Sequence, residues 1–295
     1  MPVEVYLDPD LNAWVAQRGG VMGIGSRRVM GIGLPLLAVA KASHLRAVLA
    51  HEFGHFHGGD TKLGPWIYKT RGAIIRTVNS LAEGGHSILY LPFLGYGKLF
   101  LRITNAVSRR QELSADALAA RVAGRDAARD VLRLIHGSAL AFQPYLESEL
   151  EPVLSSGYRP PIAEGFVRFL GSGSVKAAVD SAVSEEMREA QKDPYDTHPP
   201  LRERLDALER LPAGPPAAGD DPPALSLLDR IPDMESRLLS ALSGAAAEKL
   251  KPVDWDRVGP QVYIPMWTEA VGRHRSVLQG LTPAGLPDAT ADLPL

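Results

Sequence analysis

Two histidines four residues apart enclose a glutamate in the run His51-Glu52-Phe53-Gly54-His55. On a helix, residues i and i+4 lie one above the other, so both imidazoles can reach a single metal ion. Glu52, one residue along from His51, falls beside such an ion, where its carboxylate can deprotonate a zinc-bound water. The spacing is that of a zinc site with its own general base. The surrounding sequence predicts the helix this requires. Leu45, Val48, Leu49, Phe53 and Phe56 recur at helical spacing, Ser43 is the expected N-cap, and Gly58-Gly59 supplies a stop.

A hydrolytic zinc site takes three protein ligands. A third histidine close behind the first two would complete a His-x-x-Gly-x-x-His pattern, but Thr61 stands at that position and Asp60 is one residue short. Better candidates lie downstream in Ser108-Arg109-Arg110-Gln111-Glu112-Leu113-Ser114-Ala115-Asp116. Ser108 and Gln111 have the spacing of a capping box, and Gly124 can end the helix. Glu112 and Asp116, four apart, share one face. Alone they read as a solvated acidic face. Beside the His51 helix, one carboxylate can bind the metal while the other orients a ligand from behind. Spacing leaves open which does which.

Taken in order, HEFGH, SRRQELSAD and Thr197-His198-Pro199-Pro200-Leu201-Arg202-Glu203-Arg204-Leu205 resemble the membrane-associated zinc metallopeptidases of the HtpX and CAAX prenyl endopeptidase type, metallopeptidase family forty-eight. The resemblance runs from about Val3 to about Leu211 and includes Asn12-Ala13 and Val48-Leu49-Ala50. It implies one zinc ion per chain held by His51, His55 and Glu112, with Glu52 as the base. It also implies Asp116 behind the ligands, His198 at the oxyanion, and Arg204 near the site. The expected activity is endoproteolysis of polypeptide substrates, with protein quality control at a membrane as the expected setting. The rival reading is a catalytically silent scaffold that binds a protein partner. A closed structural zinc site normally has four protein ligands, and this chain offers three good ones.

The 295 residues carry a net charge of −2 with dispersed lysines and arginines, so no nucleic-acid surface is expected. The absence of cysteine excludes a disulfide framework and a thiolate nucleophile. MPVEVYLDPD has neither a basic nor an apolar signal region and is not read as a signal peptide. The most apolar run, Ile88 to Leu101, is interrupted by Pro92 and Lys98. It is shorter than the roughly 20 residues a span needs and is expected as buried core, with a peripheral membrane contact as the alternative. The expected location is the cytoplasm or the cytoplasmic face of a membrane.

The elements that must position these groups read as an α+β fold: a mostly helical peptidase domain with a small N-terminal β-hairpin or sheet, and a small helical C-terminal segment. Val3 to Leu7 predicts a strand and Leu11 to Gln17 a helix. Val21-Met22-Gly23-Ile24-Gly25 repeats as Val29-Met30-Gly31-Ile32-Gly33, which predicts a hairpin whose glycine-lined edge could receive a substrate strand. Residues 1–211 are assigned to the peptidase domain and 212–224 to an exposed proline, glycine and alanine linker. Residues 225–295 form a helical segment expected to dock on the domain, because it is too small to assume independent stability.

Overall fold

The computed structural model describes residues 2–19, 25–57, 60–84, 87–189, 199–214, 219–278 and 282. Strands β1 (Glu4–Asp8), β2 (Ala13–Arg18) and β3 (Arg27–Gly33) form a sheet in the order β1-β3-β2. The central β3 is parallel to β1 and antiparallel to β2. Two expectations are corrected here. Leu11 to Gln17 is not a helix, because Trp14 and Val15 favour extended chain and pairing with β3 decides the matter. Trp14 lies opposite Gly31, where a Cβ would sit 2.3 Å from the indole. The hairpin expected of the repeat cannot present a glycine-lined edge through its second copy, which is the central strand between β1 and β2, while Val21 to Ile24 lies outside the described residues. A central strand has no free edge. Gly31 makes room for Trp14, and Gly33 for the Asp10 carbonyl, which a Cβ would approach to 1.9 Å.

The chain then turns into α1 (Leu34–Val39), with Pro35 in its first turn, and α2 (Ala42–His57). Because α2 begins at Ala42, Ser43 sits inside its first turn and is not the cap. Helix α3 (Asp60–Glu83) is followed by α4 (Ser87–Ala123), whose 37 residues run straight through Ser108 and Gln111. The capping-box reading of those two residues is therefore also corrected, whereas the chain does break at Gly124, at φ 96°. The helices α3 and α4 pair as a hairpin in which Ile74 meets Gly97. The run expected as buried core presents Leu89, Phe93, Tyr96 and Leu99 to solvent. Among the described residues, no helix is long and apolar enough to cross a membrane.

Helix α5 (Arg125–Tyr145) crosses behind α2 and α4, and α6 (Glu151–Ser155), β4 (Tyr158–Arg159), α7 (Ile162–Gly171), α8 (Gly173–Glu189) and α9 (Leu201–Glu209) complete the first 211 residues. In α9, Leu201, Leu205 and Leu208 form a buried stripe at helical spacing. Leu36, Val48, Ala119, Val131 and Leu208 share the main core with Ala224.

Ala224 is the last residue of the expected linker, and Leu225 and Leu228 from the C-terminal segment pack against the same core. The stretch read as an exposed linker returns to the start of α2. The Asp221 carboxylate accepts hydrogen bonds from the Ser43 amide at 2.8 Å and the Ser43 hydroxyl at 2.7 Å, and the Pro222 carbonyl accepts from the Ala42 amide. These supply the acceptors that the first turn of α2 lacks. Beyond lie α10 (Ile231–Ser243), β5 (Lys251–Pro252), α11 (Trp255–Val258), α12 (Ile264–Arg273) and α13 (Arg275–Leu278). Strand β5 pairs with β4, the Trp255 indole donates to the Pro161 carbonyl at 2.7 Å, and buried Glu235 accepts from the Ala163 amide in the first turn of α7.

Candidate metal centre

Three helices bring the chemistry together. On α2, Ala47 and Val48 face the core, and one turn on the same face carries His51 and His55 past the α4 helix. Gly54 lets the two helices close: a Cβ there would come within 2.9 Å of the Ala115 Cα on α4. That approach places the Glu112 carboxylate opposite the two imidazoles.

The ligand atoms converge. His51 Nε2 and His55 Nε2 are 3.2 Å apart, with Glu112 Oε2 3.6 Å from the first and Oε1 3.5 Å from the second. Bonds of about 2.0–2.2 Å in a tetrahedral zinc site separate neighbouring ligand atoms by roughly 3.3–3.6 Å. Two imidazole nitrogens and one carboxylate in this triangle therefore fit zinc. The fourth side opens to a cavity, as a catalytic rather than a closed structural site requires. Among the described residues, these three are the group of metal-ligand type that gathers in this way.

Behind them stands a second layer. Asp116, 5% exposed, lies with Oδ1 3.0 Å from His51 Nδ1. A proton on Nδ1 donated to this carboxylate leaves the Nε2 lone pair facing His55 and Glu112. Arg204 from α9 donates through Nε to Asp116 Oδ2 at 2.8 Å and through Nη2 to Oδ1 at 2.7 Å. Its Nη2 is also 3.5 Å from Glu112 Oε2. Burial alone would push the Asp116 carboxyl up; the Arg204 guanidinium and the His51 ring outweigh it and hold it at about 2. Burial works against the charge on Arg204 too, and Asp116 and Glu112 overcome it. Burial pushes the Glu52 carboxyl up, against the opposing pull of His51, His55 and Arg204.

The predicted residues His51, Glu52, His55, Glu112, Asp116 and Arg204 thus line one cavity, with Asn12 and Ala13 from the start of β2 beside them. Thr197 and His198 lie outside the described residues. The reading missed Gly54, for which the signal was a glycine in the middle of an otherwise strong helix. A family model described as peptidase family M48 matches residues 2–211. The chain belongs to peptidase family M48. The M48 chain is also similar to the protease HtpX of Ectopseudomonas mendocina (strain ymp), with 23% identity over 222 residues, covering 69% of this chain and 67% of that protein. No solved structure matches it significantly. The M48 match ends at the close of α9, so it takes in all six gathered residues and stops short of Asp221 and Glu235.

Proposed function

We propose that this M48 chain is a zinc-dependent metalloendopeptidase in which His51, His55 and Glu112 hold the metal, Glu52 is the general base, and Asp116 and Arg204 orient the ligands. The observation that carries this reading is the convergence of two imidazole nitrogens and one carboxylate beside Glu52 in an open cavity. Zinc, when bound, supplies Lewis acidity that lowers the pKa of water and polarises the scissile carbonyl. The remaining work falls to the protein. Glu52 takes the proton of the attacking water and passes it to the leaving amine. Its raised pKa suits a group that must hold that proton between the two steps. On the resemblance of the sequence around it, His198 is assigned to donate to the developing oxyanion. The edge available for an extended substrate is β2, the sheet's outer strand next to the cavity, whose first residue Ala13 lines it.

A peripheral contact with an anionic membrane belongs to the same reading. Leu89, Phe93, Tyr96, Leu99 and Ile103 recur at helical spacing as an exposed apolar stripe on α4. Lys98 and Arg102 flank it, and no acidic residue occurs between Glu83 and Glu112. Such a face suits an interface with acidic lipid. Flotation with vesicles containing phosphatidylserine tests this; failure to float, or equal flotation with neutral vesicles, would remove it.

The central test is cleavage of unfolded casein by the zinc-loaded protein beside Glu52→Gln and Glu112→Ala. Glu52→Gln should keep about one zinc per chain and lose cleavage by about 100-fold or more. Glu112→Ala should lose most of its zinc. Undiminished turnover in Glu52→Gln, or full zinc in Glu112→Ala, would overturn the assignment.

A further inference from the structure

Helix α2 carries a second apolar face, turned away from the metal-type ligands. Leu45, Leu49 and Phe53 recur at four-residue intervals on the side of the helix opposite Val48, His51 and His55. With Leu118 and Val122 of α4 and with Leu227 they enclose a groove of about 500 Å³. Along α2 its lining runs from Ala42 to Phe53, about 16 Å at 1.5 Å per residue, so the groove is elongated. Leu45 and Ala50 at its floor are less than one-tenth exposed, whereas Val122 and Leu227 at its rim are more than half exposed. Among the described residues that line it, Arg46 is the single ionisable one, and among the described residues it has no ion-pair partner.

We propose that this groove binds a free long-chain fatty acid as its anion, with the alkyl chain laid along α2 and the carboxylate on Arg46. The arguments are shape, charge and depth. A long narrow groove with aliphatic walls suits one unbranched chain better than a compact ring system, and its volume lies within the roughly 300–1,000 Å³ of small-molecule sites. One guanidinium without a counter-ion matches one anionic head, which it can hold on two parallel hydrogen bonds; a cationic head would be repelled there. The buried floor withdraws a single chain from water, which distinguishes the groove from the exposed stripe on α4 that suits a bilayer surface. No residue of the candidate metal centre lines the groove, so the proposal stands apart from the peptidase reading. The occupant would nevertheless lie against Phe53, which separates Glu52 from Gly54, and so against the back of the helix that carries His51 and His55.

Titration calorimetry of the full chain with octanoate, decanoate and dodecanoate tests this. Each added CH₂ should tighten binding about fourfold until the chain fills the groove. Dodecylammonium should bind more weakly than dodecanoate. Arg46→Gln should weaken dodecanoate about fivefold, as loss of an exposed ion pair does, and leave dodecanol unchanged. Val122→Glu, which places a charge among the apolar walls, should weaken both by at least about tenfold. Arg46 and Val122 are exposed, and melting curves verify the fold of each variant; Leu227→Glu, also at an exposed position, serves in place of Val122→Glu if that variant does not fold. Dodecanoate binding that neither Arg46→Gln nor the glutamate variant alters would place the chain elsewhere and overturn the proposal. So would binding to phospholipid vesicles with none to free dodecanoate. If dodecanoate does not bind and the chain sediments as a dimer that Val122→Glu dissociates, the groove is an interface between copies and the proposal falls.

Discussion

Arg204 grips Asp116 with two donors, Nε to Oδ2 at 2.8 Å and Nη2 to Oδ1 at 2.7 Å, while Asp116 Oδ1 stands 3.0 Å from His51 Nδ1. The 88 residues that separate Arg204 from Asp116 are bridged by the packing of α9, so the surroundings of His51 on α2 depend on a helix far along the chain. A carboxylate held on both oxygens cannot rotate, and the histidine it faces keeps one tautomer.

Arg204→Lys retains the charge but cannot reproduce the planar fork. Zinc affinity should fall by about 10-fold to 100-fold, as for other changes behind a ligand. Arg204→Met, which leaves Asp116 buried without its partner, should also lower stability by about 3–5 kcal/mol. Chelator competition measures the first and denaturant unfolding the second. Wild-type zinc affinity in Arg204→Lys would show that the fork does not orient His51.

His198 is separated from Arg204 by six positions, and the N-cap of α9 is Pro200, two residues after it. If His198 donates to the oxyanion, His198→Ala should lower kcat by about 100-fold or more with zinc content and KM little changed. A residue that only steadies the entry to α9 would instead cost about 1 kcal/mol of stability and leave kcat near normal. Kinetics and a melting curve on the one variant separate the two.

Asp221→Ala removes the acceptor for both the amide and the hydroxyl of Ser43 and leaves the first turn of the His51 helix without its cap. A loss of about 0.5–2 kcal/mol is expected, seen as a lower melting temperature, with Asp221→Asn intermediate. An unchanged melting temperature in Asp221→Ala would mean that Pro222 alone secures the start of α2.

Glu235 is expected to give stability a pH dependence unconnected with the candidate metal centre. Burial raises its carboxyl above the ordinary value, against the pull of the Ala163 and Ile162 amides. A carboxyl raised on folding contributes stability that is fully present below its unfolded pKa and is lost as pH rises through the folded one. Glu235→Gln keeps an oxygen for the Ala163 amide without the charge. Its melting temperature relative to wild type should therefore increase between pH 4 and pH 7. A difference that stays flat across that range would show that Glu235 is not the group responsible. Glu235→Ala, which strands the amide, should be destabilised by about 1–3 kcal/mol at either pH.

What could be read from the chain alone was what depends on local periodicity. The four-residue spacings of His51 with His55 and of Glu112 with Asp116 carry to any helix, so it was legible that each pair shares a helix face, and both pairs line one cavity. So was the strand at Val3 to Leu7, observed as Glu4–Asp8. Where the outcome depended on a distant partner, local pattern failed. Ala13 to Arg18 became a strand because β3 pairs with it, and the second glycine repeat became the central strand under Trp14. Leu89, Phe93, Tyr96 and Leu99 in the apolar Ile88 to Leu101 run are exposed, which no hydropathy window can register. Ser43 was capped by Asp221 from 178 residues away. The sequence by itself determined which chemical groups are present and at what helical spacing. Only the tertiary structure decided that Gly54 against Ala115 closes α2 on α4, and that Arg204 locks Asp116 behind His51. Those relations arise from packing between elements, and packing energy is a property of surfaces that meet only after the chain has folded.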